Sequence, residues 1–163
     1  MEERNKVSFN CFVITVSDTR MFATDKSGAL IEQLLTREGH EVTARDIVKD
    51  EPQEIQTSIK GRISAEDITV ILLTGGTGIA QRDVTIEVVE RLIKKEIPGF
   101  GELFRMLSYT EDIGSAAMMS RAVAGVIGRT VIFAMPGSSG AVSLAMNKLI
   151  LPELHHIISE LQK

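Results

Sequence analysis

Hydrophobic residues alternate along this chain between short continuous runs and stripes spaced three or four residues apart. The continuous runs are rich in β-branched side chains and are bounded by Gly, Pro, Asp or Ser, a pattern that is typical of β-strands. They predict strands at 7–16, 68–74 and 129–135, and an alternating stretch, HEVTARDIV, predicts another at 40–48. The run at 68–74 is apolar throughout, which favours a strand buried on both faces of a parallel sheet.

Stripes with helical spacing separate the predicted strands. They lie at 30–35, 55–63, 88–93 and 142–161. Gly39 is expected to end the first helix, which follows a polar loop at 17–28, and Pro52 suits the first turn of the second helix. Pro152 interrupts the last stripe, so we expect it to kink or restart that helix.

Strands that alternate with helices predict a three-layer α/β/α fold around a mostly parallel sheet. The length of 163 residues fits a single domain, which we assign to residues 1–163. The stretch 96–125 is less regular, and we expect short helices and turns there.

Composition places the chain among ordinary soluble globular proteins, with 44% hydrophobic and 25% charged residues. Its net charge of −4 argues against broad binding to nucleic acid or to anionic membranes. The one cysteine, Cys11, lies in an apolar run, which predicts a core position and a reducing compartment. Because no apolar run has the length of a signal core or a membrane span, we expect a cytoplasmic protein.

Polar loops built from Asp, Gly, Ser and Thr follow the predicted strands. They are SDTR at 17–20, VKDE at 48–51, TGGTG at 74–78 and PGSSG at 136–140. In a parallel α/β sheet, ligands bind beyond the carboxyl ends of the strands. We therefore expect these four loops to line one crevice with small hydrogen-bond donors and carboxylates.

The loop at 74–78 lacks the Lys-Ser/Thr of a Walker loop and the third glycine of a dinucleotide loop. Its glycines nevertheless allow backbone N–H groups to approach an anion, and the helix that follows adds a favourable dipole. The sequence therefore indicates a phosphate-binding loop; if it is exposed, Gly76→Val should leave the fold intact and weaken binding. The alternative is a tight strand–helix turn that needs glycine for positive φ angles.

Asp83 and Asp50 are the candidate metal-holding carboxylates. Asp83 precedes VTIE, so it is also a candidate helix cap. Asp50, in KDEP, is alternatively part of a solvated turn. Two carboxylates beside a phosphate loop suggest a magnesium-bound nucleotide, because Mg²⁺ is commonly held by one or two carboxylates together with substrate phosphates.

The loop PGSSGAV at 136–142 opens the last predicted helix. Ser138 and Ser139 are candidates to hold a second part of the ligand, with helix capping as the alternative. Arg121 and Arg105 are the candidate cations for a phosphate or an anionic ring, and ordinary surface arginines are the alternative. The three histidines lack the spacing of zinc ligands.

Four motifs in this order, TGGTG…RD, PGFGELFR, SRAVAG and AMPGSSGA, resemble the molybdenum cofactor biosynthesis protein B family, of the MoaB and Mog type. The resemblance extends from TVSDTR near the start to LPEL near the end of the chain. Each motif alone is weak, but their combination is specific. The segment 104–125 resembles the B-type branch more than the dedicated molybdopterin adenylyltransferases.

This resemblance implies a reaction in which the terminal phosphate of molybdopterin attacks the α-phosphate of ATP in the presence of Mg²⁺. Pyrophosphate leaves and adenylyl-molybdopterin forms. The resemblance implies Asp50 and Asp83 as the catalytic pair that holds the metal. The implied substrate-binding residues are Ser17, Asp18, Gly75, Gly76, Thr77, Gly78, Glu102, Arg121, Pro136, Gly137, Ser138 and Ser139.

The resemblance also implies a homotrimer or a homohexamer, with other proteins of cofactor biosynthesis as candidate partners. The chain itself supports assembly, because one part of it has no obvious solvated face. The apolar residues there are Phe100, Leu103, Phe104 and Met106. We therefore predict that part of this region lies in a subunit interface.

Two departures from the family pattern bear on activity. Ile86 stands where the adenylyltransferases often have proline, which should alter only the helix start. Some B-type members lose one or both catalytic carboxylates, whereas this chain keeps Asp50 and Asp83, which favours an active enzyme. The alternatives are a molybdopterin-binding carrier without turnover and a structural oligomer whose loops are only turns; four coordinated polar loops argue against the latter.

Overall fold

The structure is a six-stranded sheet with helices on both faces, given by a computed structural model that describes residues 7–64 and 67–163. The strands are β1 (Asn10–Val16), β2 (Glu41–Val48), β3 (Val70–Thr74), β4 (Lys95–Glu96), β5 (Val123–Ile127) and β6 (Thr130–Met135). Their order across the sheet is β2-β1-β3-β6-β5-β4. β1 pairs in parallel with β2 and β3, and β3 with β6, whereas β5 runs antiparallel to β4 and β6. The mostly parallel sheet predicted from the sequence is confirmed.

The helices lie between these strands and after the last of them. They are α1 (Lys26–Arg37), α2 (Pro52–Ser64), α3 (Thr85–Leu92), α4 (Pro98–Glu111), α5 (Ser139–Ala145) and α6 (Leu151–Leu161). A 3₁₀ segment follows α4 at Gly114–Met119, and a π-helical segment joins α5 to α6 at Met146–Ile150. Residues 1–6 and 65–66 of the predicted domain lie outside the described residues.

Two hydrophobic clusters among the described residues, one on each face of the sheet, give the fold its three layers. Side chains alternate along β1, so Val13 belongs to one cluster and Ile14 to the other. The first cluster packs α1, α4, α5 and α6 against the sheet, and the second packs α2 and α3. Packing on both faces explains why β3 is buried along its whole length.

The crevice of the fold opens between β1 and β3, because the chain leaves these neighbouring strands in opposite directions. After β1 it passes through α1 to β2 at one edge of the sheet, and after β3 it passes through α3 towards β4 at the other edge. Ligands of doubly wound sheets bind at such a switch point. The loops that begin at Ser17 and Gly75 are the ones that flank it.

Cys11 fills a core position on β1, as the sequence predicts. Its side chain is fully buried, and its thiol lies 3.6 Å from the carbonyl oxygen of Phe9. Burial raises the pKa of the Cys11 thiol to about 12, because the thiolate would lose its hydration. Cys11 is therefore a packing residue and is kept in the unreactive thiol form.

Two helix boundaries differ from the sequence pattern or refine it. α1 begins at Lys26, inside the stretch 17–28 predicted to be a loop, because the Asp25 carboxylate caps it by accepting from the N–H of Gly28 (3.0 Å). α2 begins at Pro52, as predicted. α6 begins at Leu151 with Pro152 in its first turn, which agrees with the predicted restart, and a π-helical segment at Met146–Ile150 joins it to α5.

The stretch 96–125 is more regular than the sequence pattern suggested. α4 runs for 14 residues, and β5 forms a hairpin with β6. Phe100 and Phe104 point into the core, whereas Leu103 and Met106 are exposed, so the predicted interface would involve the latter two side chains and stays a prediction. Gly125 hides the strand pattern of β5, and it is needed because a Cβ atom there would lie 2.7 Å from the Lys95 carbonyl oxygen.

The structure describes helices within residues 7–64 and 67–163. None of its helices is both long enough and apolar enough to cross a bilayer.

Candidate functional site

A cleft of about 390 Å³ lies at the carboxyl ends of β1, β3 and β6. The residues that line it are Thr15, Val16, Ser17, Thr19, Arg20, Asp25, Ser27, Thr74, Gly75, Gly137 and Ser138. The loop after β2 joins this cleft at its rim, where the N–H of Asp50 donates to Asp18 Oδ1 (3.1 Å). The structure thus brings together the four polar loops that the sequence places after the strands.

The glycine loop (residues 75–83) begins with two backbone angles that favour glycine. The φ angle is +98° at Gly75 and +66° at Gly76. A Cβ atom at 75 would collide with the carbonyl oxygen of Val16, and one at 76 would lie 2.5 Å from Thr85 Oγ1 and 2.9 Å from Asp50 Oδ1. The positive-φ turn proposed as the alternative is therefore present, and the expectation that Gly76→Val spares the fold is wrong.

Thr85 orients the first two carbonyl groups of the glycine loop towards the protein interior. Its hydroxyl donates to the Gly75 carbonyl oxygen (2.8 Å), and its N–H donates to that of Gly76 (3.0 Å). Thr85 is fully buried at the start of α3, so it fixes the loop to the helix that follows.

Arg121 holds the next carbonyl groups from a distant part of the chain. Its Nε donates to the carbonyl oxygen of Thr77 (3.0 Å), and its Nη2 donates to that of Gly78 (2.8 Å). The same guanidinium pairs with Glu87 (2.7 Å), and this hydrogen bond lowers the pKa of the Glu87 carboxyl. Arg121 was a candidate cation for the ligand on sequence grounds, but the structure gives it another task, which is to shape the loop.

The amides of Gly76, Thr77 and Gly78 point away from these braces. In a trans peptide, an N–H lies opposite the preceding carbonyl group, and the described chain contains no cis peptide. Because the preceding carbonyls face Thr85 and Arg121, the three N–H groups face the other side. Within residues 7–64 and 67–163 they donate to no protein acceptor. Successive unpaired amides of this kind form an anion-binding concavity.

Asp83 closes the glycine loop without capping the helix. Its Oδ2 accepts from the N–H of Ala80 (3.0 Å), and the residue at the N-cap of α3 is Val84, which makes no side-chain cap bond. Capping of α3 by Asp83, considered as the alternative from the sequence, is therefore wrong. Gly78 leaves room for this carboxylate, because a Cβ atom there would lie 2.7 Å from Asp83 Oδ2.

Asp50 lies half-buried against the glycine loop rather than in a fully solvated turn. Burial raises the pKa of its carboxyl, and the negative charges of Asp18 and Asp83 raise it further. The folded protein therefore holds three carboxylates near one another at the rim of the cleft, and their repulsion disfavours the ionised form of Asp50.

Arg82 is a site residue whose role the sequence did not indicate, although it lies in the TGGTG…RD motif. Its guanidinium makes two bonds to the Asp18 carboxylate, from Nε (2.7 Å) and from Nη2 (3.0 Å), and a further one to Glu51 (3.1 Å). The Arg82 hydrogen bond is the main reason that the pKa of Asp18 is lowered. Arg82 thus ties the glycine loop to the loops after β1 and β2.

Asp25 and Arg45 form a second unpredicted group, at the wall of the cleft. Asp25 Oδ2 accepts from the Thr15 hydroxyl (2.6 Å) and from Arg45 Nη2 (2.9 Å). The carboxylate of Asp25 is buried, so its charge is compensated by these partners and by the cap of α1. Asp25 could have been found from the sequence as a helix N-cap, but the stretch 17–28 was assigned to a polar loop.

The serine loop (residues 136–139) enters the cleft beside Gly75. Ser138 caps α5 by accepting from the N–H of Ala141 (3.1 Å), so the capping alternative holds for this residue. The carbonyl oxygen of Gly137 accepts from Ser27 (2.5 Å), and that of Pro136 accepts from Thr74 (2.9 Å). Ser139 is exposed in the first turn of α5.

Glu102 and Arg105 lie away from this cleft, on α4. Glu102 is exposed and is absent from the residues that line the cleft. Arg105 borders a separate shallow depression with Tyr109 and Met118. Within one described chain, the structure therefore does not bring either residue to the glycine loop.

The carboxylates at the rim of the cleft could hold Mg²⁺ only together with other ligands. No group of three or more His, Cys, Asp or Glu side chains in residues 7–64 and 67–163 is arranged to hold a metal ion alone. Asp50 and Asp83 remain as a pair whose repulsion a divalent cation would relieve. These residues fit Mg²⁺ that arrives with substrate phosphates, since such a site needs only one or two carboxylates.

Known proteins resemble this chain in sequence. Residues 12–156 match the family described as the probable molybdopterin binding domain. The molybdenum cofactor biosynthesis protein B of Bacillus subtilis (strain 168) is 61% identical over 153 residues, which cover 94% of this chain and 90% of the relative.

Solved structures resemble it in fold as well. A crystal structure of a molybdenum cofactor biosynthesis protein B has a TM-score of 0.94 at 59% identity, covering 96% of this chain and 98% of that one. The tungsten cofactor synthesizing protein MoaB of Pyrococcus furiosus has a TM-score of 0.85 at 38% identity, covering 96% and 98%. The likeness therefore extends far beyond the glycine loop.

Proposed function

This chain belongs to the molybdenum cofactor biosynthesis protein B family, and from that membership we propose that it binds molybdopterin and adenylylates it with ATP and Mg²⁺. In this reaction an oxygen of the terminal phosphate of molybdopterin bonds to the α-phosphorus of ATP. The bond between that phosphorus and the leaving oxygen breaks, and pyrophosphate carries the electron pair away. The products are adenylyl-molybdopterin and pyrophosphate.

The observation that carries the proposal is the row of three unpaired amides at Gly76, Thr77 and Gly78 beside the Asp50 carboxylate. Backbone N–H groups are obligatory donors, so a buried or half-buried row of them calls for an anionic or aqueous acceptor. A phosphate offers several oxygens to such a row, and a carboxylate next to it supplies a ligand for the cation that accompanies ATP.

The side chains at the cleft suit a transfer in which the substrate is the nucleophile. Phosphoryl-type transfer depends mainly on positioning and on charge stabilisation, so no serine or cysteine nucleophile is required. Asp50 and Asp83 would hold Mg²⁺, which when bound stabilises negative charge on the phosphates. The glycine-loop amides would fix the phosphates, and Ser17 with the serine loop would bind the pterin side of molybdopterin.

The direct test is to combine purified protein, molybdopterin, ATP and Mg²⁺ and to detect adenylyl-molybdopterin and pyrophosphate by mass spectrometry. Asp50→Asn and Asp83→Asn keep the size of the side chain but remove the charge that holds the metal. We expect turnover to fall about a hundredfold or more in each variant, with little change in molybdopterin affinity. Glu153→Gln is the matched control, since this exposed residue lies on α6.

The outcome also decides between catalysis and the carrier alternative. Wild-type protein that binds molybdopterin but forms no adenylylated product with excess ATP and Mg²⁺ would be a carrier. Asparagine variants with wild-type turnover would remove Asp50 and Asp83 from the catalytic role.

Assembly is a second part of the proposal, and it rests on an apolar surface patch. The patch lies on α4 and around the 3₁₀ segment, and its exposed side chains are Leu103, Met106, Tyr109, Ile113, Met118 and Met119. Contiguous exposed apolar side chains of this kind mark interaction surfaces. A trimer or hexamer built through the patch should be visible by light scattering at micromolar concentration, whereas a monomer near 17.8 kDa would contradict the proposal.

A further inference from the structure

The cations around the cleft are not equally available to a ligand. Arg121 is bonded to glycine-loop carbonyls and to Glu87, and Arg45 is bonded to the buried carboxylate of Asp25. Arg20 lines the cleft on the side of α1 and donates to the carbonyl oxygen of Thr24 (2.9 Å). Arg82 differs from all three, because it belongs to the glycine loop itself and its bonds are to exposed or half-exposed carboxylates.

Arg82 and its two carboxylate partners are in contact with solvent. The side chain of Arg82 is 56% exposed, and those of Asp18 and Glu51 are 35% and 51% exposed. Water screens ion pairs at exposed positions, so a more highly charged anion such as a phosphate can compete with these carboxylates for Arg82. The planar guanidinium fork that now binds Asp18 at two points fits two phosphate oxygens equally well.

The charges at the rim create a need for such an exchange. Asp50 and Asp83 lie beside Gly76 and Gly78, Asp18 and Glu51 lie nearby, and each of these carboxylates repels phosphate. Arg82 is the side chain that could both meet the phosphates and leave a carboxylate free. Arg82 therefore stands between two kinds of partner, carboxylates in the free protein and phosphates in the complex.

We propose that Arg82 is the residue that binds the β- and γ-phosphates of the nucleotide, and that it leaves Asp18 and Glu51 when it does so. This inference rests on the proposed adenylylation, since it assigns the leaving pyrophosphate to a named side chain. The contact is polar and involves no covalent step. It makes Asp18 a competitor of the phosphates for the same guanidinium.

Calorimetric titration with inorganic pyrophosphate in magnesium-containing buffer tests the inference without molybdopterin and without turnover. Arg82→Ala should weaken pyrophosphate binding about ten- to a hundredfold. Arg82→Lys should recover only part of the loss, because lysine keeps the charge but not the fork. Asp18→Asn should tighten binding about two- to fivefold, because it removes the competitor.

Arg91→Ala is the matched control for the loss of one positive charge. Arg91 is exposed in the last turn of α3 and borders a different depression, with Lys60 and Lys94. We expect its pyrophosphate affinity to equal that of the wild type. AMP, which lacks the β- and γ-phosphates, should bind Arg82→Ala and the wild type alike.

Three results would overturn the inference. They are a wild type that binds no pyrophosphate, an Arg82→Ala variant that binds it as well as Arg91→Ala does, and an Asp18→Asn variant as weak as Arg82→Ala. The last would mean that the bridge between the two residues is only structural. An Arg82-dependent pyrophosphate site in a protein that makes no adenylyl-molybdopterin would retain the inference about Arg82 and remove the proposed reaction.

Discussion

The glycine loop and the serine loop meet in one cleft but differ in the strain of their backbones. The glycine loop has two positive φ angles, and its carbonyls are fixed by Thr85 and by Arg121, which is 43 and 44 residues away from its partners. The serine loop contains no residue of positive φ. Its shape comes from the local cap that Ser138 makes with Ala141 and from the bonds that Ser27 and Thr74 donate to its carbonyl oxygens.

The difference shows where strain is used in this fold. A strained backbone persists only when its surroundings determine it, and the glycine loop meets that condition through buried and distant partners. The result is a row of amides with no protein acceptor among the described residues. The serine loop presents hydroxyls without strain, so changes there should have small and local effects, whereas changes in the glycine loop should affect both stability and phosphate binding.

Gly76→Val should break this comparison most strongly. A β-branched residue at φ +66° is strained, and its Cβ would lie 2.5 Å from Thr85 Oγ1. We expect a loss of about 2–4 kcal/mol in the free energy of unfolding, measured by urea denaturation. Gly137→Ala is the control in the serine loop, where a Cβ would lie 3.3 Å from the Gly75 Cα atom and should cost less than about 1 kcal/mol. Equal losses in the two variants would show that the loops are not held differently.

Arg121→Ala tests the distant brace. It removes the hydrogen bonds to Thr77 and Gly78 and leaves Glu87 without its partner, so we expect a loss of about 1–2 kcal/mol in unfolding free energy.

The Glu87 carboxyl has a lowered pKa in the folded state, so its stabilising contribution is present above its unfolded pKa and disappears as pH falls through the folded value. The advantage of wild type over Glu87→Gln should therefore vanish in acid; an advantage that persists there would contradict the assigned pairing.

Ser138→Ala tests the local cap. Loss of an N-cap hydroxyl costs about 1 kcal/mol, and Ser138→Gly should cost only a few tenths, because glycine is tolerated at this position. Binding of inorganic pyrophosphate should stay as in the wild type, since the glycine loop is undisturbed. A large loss of pyrophosphate affinity would instead indicate that the two loops act as one unit.

Asp50→Asn should have the smallest effect on stability, with the opposite sign. A carboxyl whose pKa is higher in the folded state favours unfolding when it ionises, so at neutral pH the asparagine variant should be more stable. We expect a gain of about 0.5 kcal/mol or less, because solvent screens a half-buried group. The gain should disappear below the unfolded pKa of aspartate. A destabilised variant at neutral pH would show that Asp50 has structural partners that outweigh the repulsion.

The elements that the sequence predicted well are those whose signal is local. Apolar runs located β1, β3 and β6, alternation located β2, and Pro52 marked the start of α2. α4 was missed because Gly99 and Gly101 interrupt a stretch in which Phe100 and Phe104 otherwise have helical spacing. β5 was missed because it contains Gly125. This glycine is required by the close approach of the Lys95 carbonyl oxygen, a contact that no local sequence pattern reveals.

The site was predicted in its loops but not in its contacts. The glycine loop and the two aspartates follow from what comes after each strand, since all parallel strands deliver their loops to one edge. Arg121 was predicted to contact the ligand and Arg82 was given no role, because the partners of both lie 31 to 64 residues away. Arg121 holds the loop carbonyls and Arg82 connects the loop to two carboxylates, and only tertiary structure distinguishes these tasks.

Cys11 also makes the protein its own reporter of unfolding. A thiol reagent attacks only an accessible thiolate, and this thiol is buried with a pKa of about 12 on the strand between β2 and β3. Labelling of the Cys11 thiol therefore requires β1 to separate from β2 and β3. At saturating reagent the labelling rate equals the opening rate, and at low reagent it reports the opening equilibrium. Since the chain has one cysteine, each labelled molecule records one such event.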